Sequence, residues 1–506
     1  MVRPSSGWRT AFAVSAGLAM GAACAQPAPP AFPGAEGFGA VASGGRGGVV
    51  LQVTSLAPDP AGLTVGTLNW ALRQPGPRYI LFKVSGVIHA AGNIVHGDVT
   101  LAGQTSPGGV IVRGLVCDGH YERNDCSNLI VRHVRLRPGW NLDLPPGGER
   151  LDDALRLDGA QRFIFDHVDM ATAADEAVQL SWASQGTIQY SALGETVGDH
   201  ADRGGMLLNY SHPDFPQDRL SIHHNLWFRV GGRLPELTCE ASNYEGLPGL
   251  TASCQSTPLR LELSANRYYD VDFPLYYNRD VDQNAALGPY RLRLNLVDNR
   301  FTVRSSFPYG FAVSDLLAVA DNQLFFDGNR LNLYPVFSDY QLLWCCNDFA
   351  ANVPNTDPGL ALRLSARHPF PTISQLGQGD LPPWLATVGP QPADPMQRRW
   401  RARVAGGGFD PQPFSQPAAN DAHALDFDSG TPPAPPADRD QDGMPDSFEL
   451  QHAGLGLDPD VDDHLGQQLS LPLTGVSGYD NLEVYLNLLA DARVGSTDVL
   501  LRDGFE

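Results

Sequence analysis

Between about Val99 and Phe326, apolar and polar residues alternate in short runs, each closed by a small or polar turn residue and followed by a second apolar or aromatic cluster. The runs read Val131-Arg-His133-Val-Arg-Leu, Phe165-Asp-His167-Val-Asp-Met, Gln189-Tyr-Ser191-Ala-Leu and His223-His-Asn225-Leu-Trp-Phe. They continue as Ser264-Ala-Asn266-Arg-Tyr-Tyr, Val297-Asp-Asn299-Arg-Phe-Thr and Ala320-Asp-Asn322-Gln-Leu-Phe. Aligning His133, His167, Ser191, Asn225, Asn266, Asn299 and Asn322 gives spacings of 34, 24, 34, 41, 33 and 23 residues. Period-two alternation marks strands that bury one face. The spacing is too wide for a sandwich or barrel, whose strands recur every ~8–12 residues, and no helical pattern intervenes. Short strands at this period predict an all-β parallel β-helix, each coil burying its inward face against its neighbours and carrying insertions outside. The recurrent Asn predicts a side-chain ladder, because Asn tolerates left-handed backbone and bonds both the coil above and the coil below.

Composition agrees with turns rather than long helices: 53 Gly and 41 Pro occur in 506 residues. The 56 acidic residues against 35 basic ones give a formal charge of -21, which repels nucleic acid and anionic lipid, so neither is expected as a partner. Lys83 is the single lysine, so a cation-requiring site must draw on arginine, a metal or both. Arg3 and Arg9 precede an apolar run from Ala11 to Ala22 and then Ala23-Cys24-Ala25, a bacterial-type signal peptide cleaved after Ala25. Acylation of Cys24 is the competing reading. No other apolar run reaches the ~18 residues a bilayer span needs, so the mature protein is expected to be soluble; secretion is expected from the leader, and a monomer is expected. Six cysteines then remain, in the local pairs Cys117 and Cys126, Cys239 and Cys254, and Cys345 and Cys346; the first two pairs are expected as disulfides.

A set of ordered motifs resembles the pectate lyases of polysaccharide lyase family 1. These are residues 32–39 (Phe-Pro-Gly-Ala-Glu-Gly-Phe-Gly), 44–48, 66–68, 84–88, 100–109, 130–139 (Ile-Val-Arg-His-Val-Arg-Leu-Arg-Pro-Gly), 152–155, 164–167, Asp175-Glu176, 223–225 and 233–235. The resemblance covers about Phe32 to Gly408 and implies a right-handed single-stranded parallel β-helix that cleaves polygalacturonate by β-elimination. In that chemistry a base removes the C5 proton of a uronate and the C4 oxygen leaves. The proton is acidic only if the adjacent carboxylate is neutralised, so calcium or arginine is needed beside the base. By resemblance Asp152 and Asp153 are the first calcium carboxylates and Asp175 or Glu176 the next, hard oxygen ligands of the kind calcium takes. Arg233 matches the arginine assigned as the base. An arginine normally stays charged, so activity is expected to rise at alkaline pH.

The chain departs from the resemblance at Gln179, where a calcium carboxylate is expected, and at Thr238, where a second substrate-binding arginine is expected. Arg229 or Arg260 could replace the latter, and Arg203 the family's substrate-binding lysine. His200 is a rival base. His223 and His224 alternate on a strand, so one is expected inward and one outward, with His224 taken as lining the cleft. Asp166 and His167 are expected to brace the coil. Two other readings stay open: a β-helical polygalacturonase, although its Gly-His-Gly segment is missing, and a non-catalytic carbohydrate-binding or adhesive β-helix.

From Thr431 to Glu506 there are 15 acidic and 3 basic residues. Here Asp438-Arg-Asp440-Gln-Asp442-Gly443-Met-Pro-Asp446-Ser-Phe-Glu449 fits a calcium loop, with Gly443 at the sharp turn and Glu449 as the bidentate ligand opening a helix. It resembles EF-hand-like and thrombospondin type 3-like repeats. A second copy around 473–484 has lost its ligands. The chain therefore divides into a leader (1–25), a β-helix (26–408), a Pro-rich linker (409–437), a calcium-binding module (438–490) and a tail (491–506).

Overall fold

The computed structural model describes residues 28–139, 153–197, 204–212, 214–238, 257–272, 275, 291–304, 311, 321–343, 349–354, 363–375, 379–427 and 429–495. Three parallel sheets of ten, nine and six strands run the length of the molecule, and the chain visits them in rotation. One coil is Gln161–Asp166 in the ten-stranded sheet, Asp169–Ala171 in the nine-stranded sheet and Val178–Ser181 in the six-stranded sheet. This is the parallel β-helix that the alternation predicts. Its register explains the pattern: Leu101, Val131, Phe165, Ile188, Ile222, Leu263, Leu296 and Phe326 are successive in-register partners. All belong to one buried apolar column, so each coil's inward row is hydrated until the next coil covers it.

The corner between the ten- and nine-stranded sheets has two specialised positions. The first is left-handed: φ is 56° at His133, 54° at His167, 47° at Tyr190, 54° at His224, 56° at Ala265 and 52° at Asp298. The second carries the ladder, Asn225 to Asn266 at 3.2 Å, Asn266 to Asn299 at 3.1 Å and Asn299 to Asn329 at 3.1 Å, with the Ser191 amide donating to Asn225 Oδ1 at 2.9 Å. The sequence alignment is corrected at both ends. His133 and His167 occupy the left-handed position one residue before the ladder, and the rung expected at Asn322 is Asn329. Asn322 instead accepts the Leu292 amide at 2.7 Å, ahead of the strand Gln323–Asp327.

Cys117 and Cys126 form a disulfide with Cα atoms 5.7 Å apart. Cys239, Cys254, Cys345 and Cys346 lie outside the described residues. Among the described residues no helix is long and apolar enough to cross a membrane.

Two stretches beyond the coils lie on the β-helix. Residues 383–422 cover the outer face of the nine-stranded sheet, where Trp384, Leu385, Val388, Met396, Trp400 and Ala422 pack on Ala171, Ala192, Leu226 and Phe228. Within the stretch read as a linker, the Asp410 amide donates to Asp270 at 3.0 Å. The acidic C-terminal module packs Met444, Leu457, Leu469, Tyr479, Leu482, Val484 and Leu486 against Tyr79, Leu81 and Ala102 of the ten-stranded sheet.

Candidate active site

The residues that precede the strands of the six-stranded sheet gather along one edge of the β-helix. Asp153 comes just ahead of Leu155–Asp158, Asp175 and Glu176 ahead of Val178–Ser181, and Arg233 ahead of Glu236–Thr238. Because Leu155–Asp158 and Val178–Ser181 are parallel neighbours, with Glu236–Thr238 two strands further along, residues far apart in sequence meet: carboxylate oxygens of Asp153, Asp175 and Glu176 all lie within 4.8 Å of one another. The backbone fixes the arrangement, with the Ala154 amide donating to Glu176 O at 3.1 Å and the Glu176 amide to Asp153 Oδ1 at 3.1 Å.

Arg233 sits in left-handed backbone, φ 56°, and its side chain reaches this cluster. It ion-pairs with Glu176, lies 4.0 Å from Asp175 and donates through Nε to Glu236 at 2.7 Å. Glu176 is 1% exposed and Arg233 9%. Three converging carboxylates repel one another unless a cation is among them. Arg233 supplies one positive charge, and the hard oxygen donors suit a divalent ion such as calcium. Gln179 donates to Ser181 Oγ at 3.3 Å and adds no charge.

Asp152, His200 and Arg203 lie outside the described residues. Two expected substrate contacts are corrected. Arg229 is fully buried, and its Nη2 donates to Pro413 O at 2.6 Å and Gln412 O at 3.1 Å, so it tethers the covering segment. His224 is also buried, stacked on Tyr190 at 4.9 Å with Trp384 at its edge, and burial followed by the nearby Arg267 charge lowers it to about 3. His223 is buried too, its Nδ1 2.9 Å from that of His224. Strand alternation fails here because His224 is a corner residue under the 383–388 segment. Arg260 pairs with Asp218 on the ten-stranded sheet.

Asp166 accepts from Arg132 Nε at 2.8 Å and Gln189 Nε2 at 2.9 Å, and His167 Nδ1 is 3.1 Å away. Burial opposes its charge, but His167 and Arg132 outweigh burial and hold the carboxyl well below 3.8. A depressed carboxyl stabilises the fold above its unfolded value and loses that contribution as pH falls. Asp166→Asn is therefore expected to cost about 3–5 kcal/mol in urea unfolding at pH 7, as for breaking a buried pair, with a gap that narrows below about pH 4.

A second carboxylate cluster lies in the C-terminal module. Asp438, Asp440 and Asp442 converge, as do Asp442, Glu449 and Asp463. Glu449 is fully buried with both carboxylate oxygens unpartnered, and burial followed by Asp442, Asp440 and Asp463 pushes it up to about 8. Burial, with the charges of Asp440 and Asp438 and against the amides of Met444 and Asp463, pushes Asp442 up to about 7. Gly443 takes φ 98°, and a Cβ there would meet Leu81 Cδ1 at 2.5 Å. Asp446, expected among the ligands, instead pairs with Arg439 at 3.0 Å. Asp463 had gone unnoticed. The acidic run Asp458-Pro-Asp460-Val-Asp462-Asp463 was the available signal, and it precedes the stretch read as a degenerate copy. Lys83 Nζ bonds Asp438 Oδ2 at 2.8 Å, so the chain's single lysine serves this cluster.

No family model matches the chain. It is 28% identical over 465 residues to a "Probable pectate lyase C" of Aspergillus oryzae, covering 91% of this chain and 94% of that one. A "Probable pectate lyase C" of Aspergillus fumigatus strain Af293 is 37% identical over 179 residues, 35% of this chain and 39% of its own length. Among solved structures, a pectate lyase of Paenibacillus sp. 0602 covers 63% of this chain and 93% of its own at 13% identity with a TM-score of 0.34. Pectate lyase Bsp165PelA of Bacillus sp. N165, in complex with trigalacturonate, covers 55% and 94% at 13% identity with a TM-score of 0.30. The chain is thus pectate lyase-like over 91% of its length.

Proposed function

We propose that this chain is a secreted polysaccharide lyase that cleaves polygalacturonate by calcium-assisted β-elimination, releasing unsaturated oligogalacturonides. The observation that carries the reading is the convergence of Arg233 with Asp153, Asp175 and Glu176 on one edge of the β-helix. Relatives named as pectate lyases along nearly the whole chain support it.

Asp153, Asp175 and Glu176 are the residues that would hold calcium here. When bound, calcium neutralises the uronate carboxylate and so acidifies the C5 proton. Glu236 anchors Arg233 through Nε, which leaves Nη1 as the atom facing the carboxylates. In the proposed step hydroxide takes a proton from Arg233 Nη1 and becomes water, and Nη1 then takes the C5 proton, so Arg233 ends charged as it began. The C5–H electron pair becomes the C4–C5 double bond, the C4–O bond breaks, and the departing oxygen takes a proton from solvent. Partial burial of Arg233 shields the transfer from bulk water.

The test is incubation of the mature protein with polygalacturonate at alkaline pH, with calcium and then with chelator, following the ultraviolet absorbance of the unsaturated product. The expected result is an absorbance rise that chelator removes. New reducing ends without absorbance would mean hydrolysis, and neither signal on any uronate polymer would leave a carbohydrate-binding protein.

A further inference from the structure

Arg233 and Glu236 sit on a short stretch whose backbone is fixed from both sides. Leu234 and Leu237 are buried in the core, and Leu237 is the in-register partner of Leu208. The Arg233 carbonyl accepts the Met206 amide at 2.7 Å, and Gly232 bridges to Gly204. Glu236 opens the strand Glu236–Thr238 and alternates with the inward Leu237, so it lies on the outer face of the six-stranded sheet. From there its Oε2 accepts Arg233 Nε at 2.7 Å, with the Glu236 side chain 18% exposed and that of Arg233 8%. Arg233 thus meets carboxylates of two kinds. Glu176, and Asp175 at 4.0 Å, belong to the group that would hold calcium, whereas Glu236 stands outside that group.

We propose that Glu236 is a positioning residue for Arg233: its carboxylate keeps the guanidinium turned toward Asp153, Asp175 and Glu176 when the charge of Glu176 is shared with a divalent cation. The inference rests on the proposed lyase reading for what Arg233 does there, and it assigns Glu236 no contact with substrate. A cation among the three carboxylates repels the guanidinium beside it, and a long arginine side chain regains rotamer freedom once released. Held through Glu176 alone, Arg233 would turn toward solvent. The bond from Nε to Glu236 fixes the plane of the guanidinium without occupying Nη1, the atom assigned to the C5 proton. Placement of this kind carries large rate effects, since a misplacement of about 1 Å can cost about a hundredfold. A carboxylate on a strand seated by a buried neighbour is the rigid support that such placement needs.

The experiment compares Glu236→Ala, Glu236→Gln and Glu236→Asp in two ways, with thermal unfolding of each as a check that the fold is kept. Steady-state rates on polygalacturonate in calcium should show Glu236→Ala with kcat lowered about ten- to a hundredfold and KM within about twofold. Glu236→Gln keeps the length and an acceptor oxygen and should regain most of the loss. Glu236→Asp keeps the charge but is one methylene short and should regain little. Added to Arg233→Ala, Glu236→Ala should cost less than about twofold more, because the residue acts through Arg233. Crystals of the Ala and Gln variants grown in calcium give a readout free of turnover: Arg233 should stay beside Asp175 and Glu176 in the Gln variant and turn away in the Ala variant. A kcat kept in Glu236→Ala, a loss carried by KM, an Asp variant as active as the Gln variant, a full further loss on the Arg233→Ala background, or Arg233 unmoved in the Ala crystals would each overturn the proposal. Failure of the lyase reading shows separately, as missing unsaturated product from the unsubstituted chain, and the crystals then still decide whether Glu236 places Arg233.

Discussion

Arg233→Ala is expected to lower kcat/KM for polygalacturonate cleavage by about 10²- to 10⁴-fold, the range for removing a positioned general base. On the proposed mechanism the loss should fall on kcat, because the residue acts on the C5 proton in the transition state. Arg233→Lys should rescue little. Arg233 meets Glu176 through Nη1 and Glu236 through Nε at 2.7 Å, and a lysine has one nitrogen to offer both. Steady-state rates from the absorbance assay across pH 7 to 11 check this. An Arg233→Ala protein that keeps its kcat would remove the residue from the chemistry, and the search for a base would turn to His200. A merely structural arginine would show up differently, as lost unfolding stability with kcat retained in the folded fraction. Deleting one partner of the Arg233–Glu176 pair does leave a buried carboxylate, so unfolding is measured alongside.

The parts that sequence reveals and the parts it hides differ in the range of the interactions involved. Inward rows such as Phe163 and Phe165, or Leu261 and Leu263, are visible because one strand's alternation encodes its burial, whichever coil covers it. Asp153, Asp175, Glu176 and Arg233 were expected from the family resemblance and not from the alternation; the structure brings them together because each lies ahead of a strand of the six-stranded sheet in its own coil. The ladder was misread by one residue at His133 and His167 because both corner positions carry polar side chains. Left-handed backbone at the first and hydrogen bonding at the second favour overlapping residue types. Arg229 and His224 were misassigned for the opposite reason. Their surroundings are built by residues 383–414, which have no repeat and contact the coils across sequence separations of 160 to 184. Asp463 went unseen because it joins the cluster of Asp442 and Glu449 from outside the twelve-residue pattern.

Calcium removal is expected to lower the thermal unfolding temperature of the whole protein and not of the module alone, because the C-terminal carboxylate cluster is wired into the β-helix. Asp438 has one oxygen, Oδ1, that is buried without a partner and another, Oδ2, that bonds Lys83. Asp480, which caps the long helix Asn481–Val494, accepts from Tyr79 and from the Gly47 amide, each at 2.7 Å. Arg132, already held by Asp166 within the coil, reaches Asn487 at 3.1 Å. An ion bound among Asp438, Asp440, Asp442, Glu449 and Asp463 neutralises a charge cluster beneath this interface. A ligand at about a hundredfold excess over its Kd contributes about 2.7 kcal/mol. Calorimetric unfolding in calcium and in chelator should therefore show one transition moving down together. Glu449→Gln and Asp463→Asn should each abolish most of the calcium-dependent shift, whereas Asp446→Asn, whose carboxylate is engaged by Arg439, should retain it. Substitution of Lys83 by Met would expose the coupling directly. It leaves every carboxylate in place, yet should split the unfolding into two transitions by weakening the bond between a calcium ligand and the coil. A chelator effect confined to a separate low-temperature transition in the unsubstituted protein would show instead that the module folds on its own account and that the β-helix does not sense its metal.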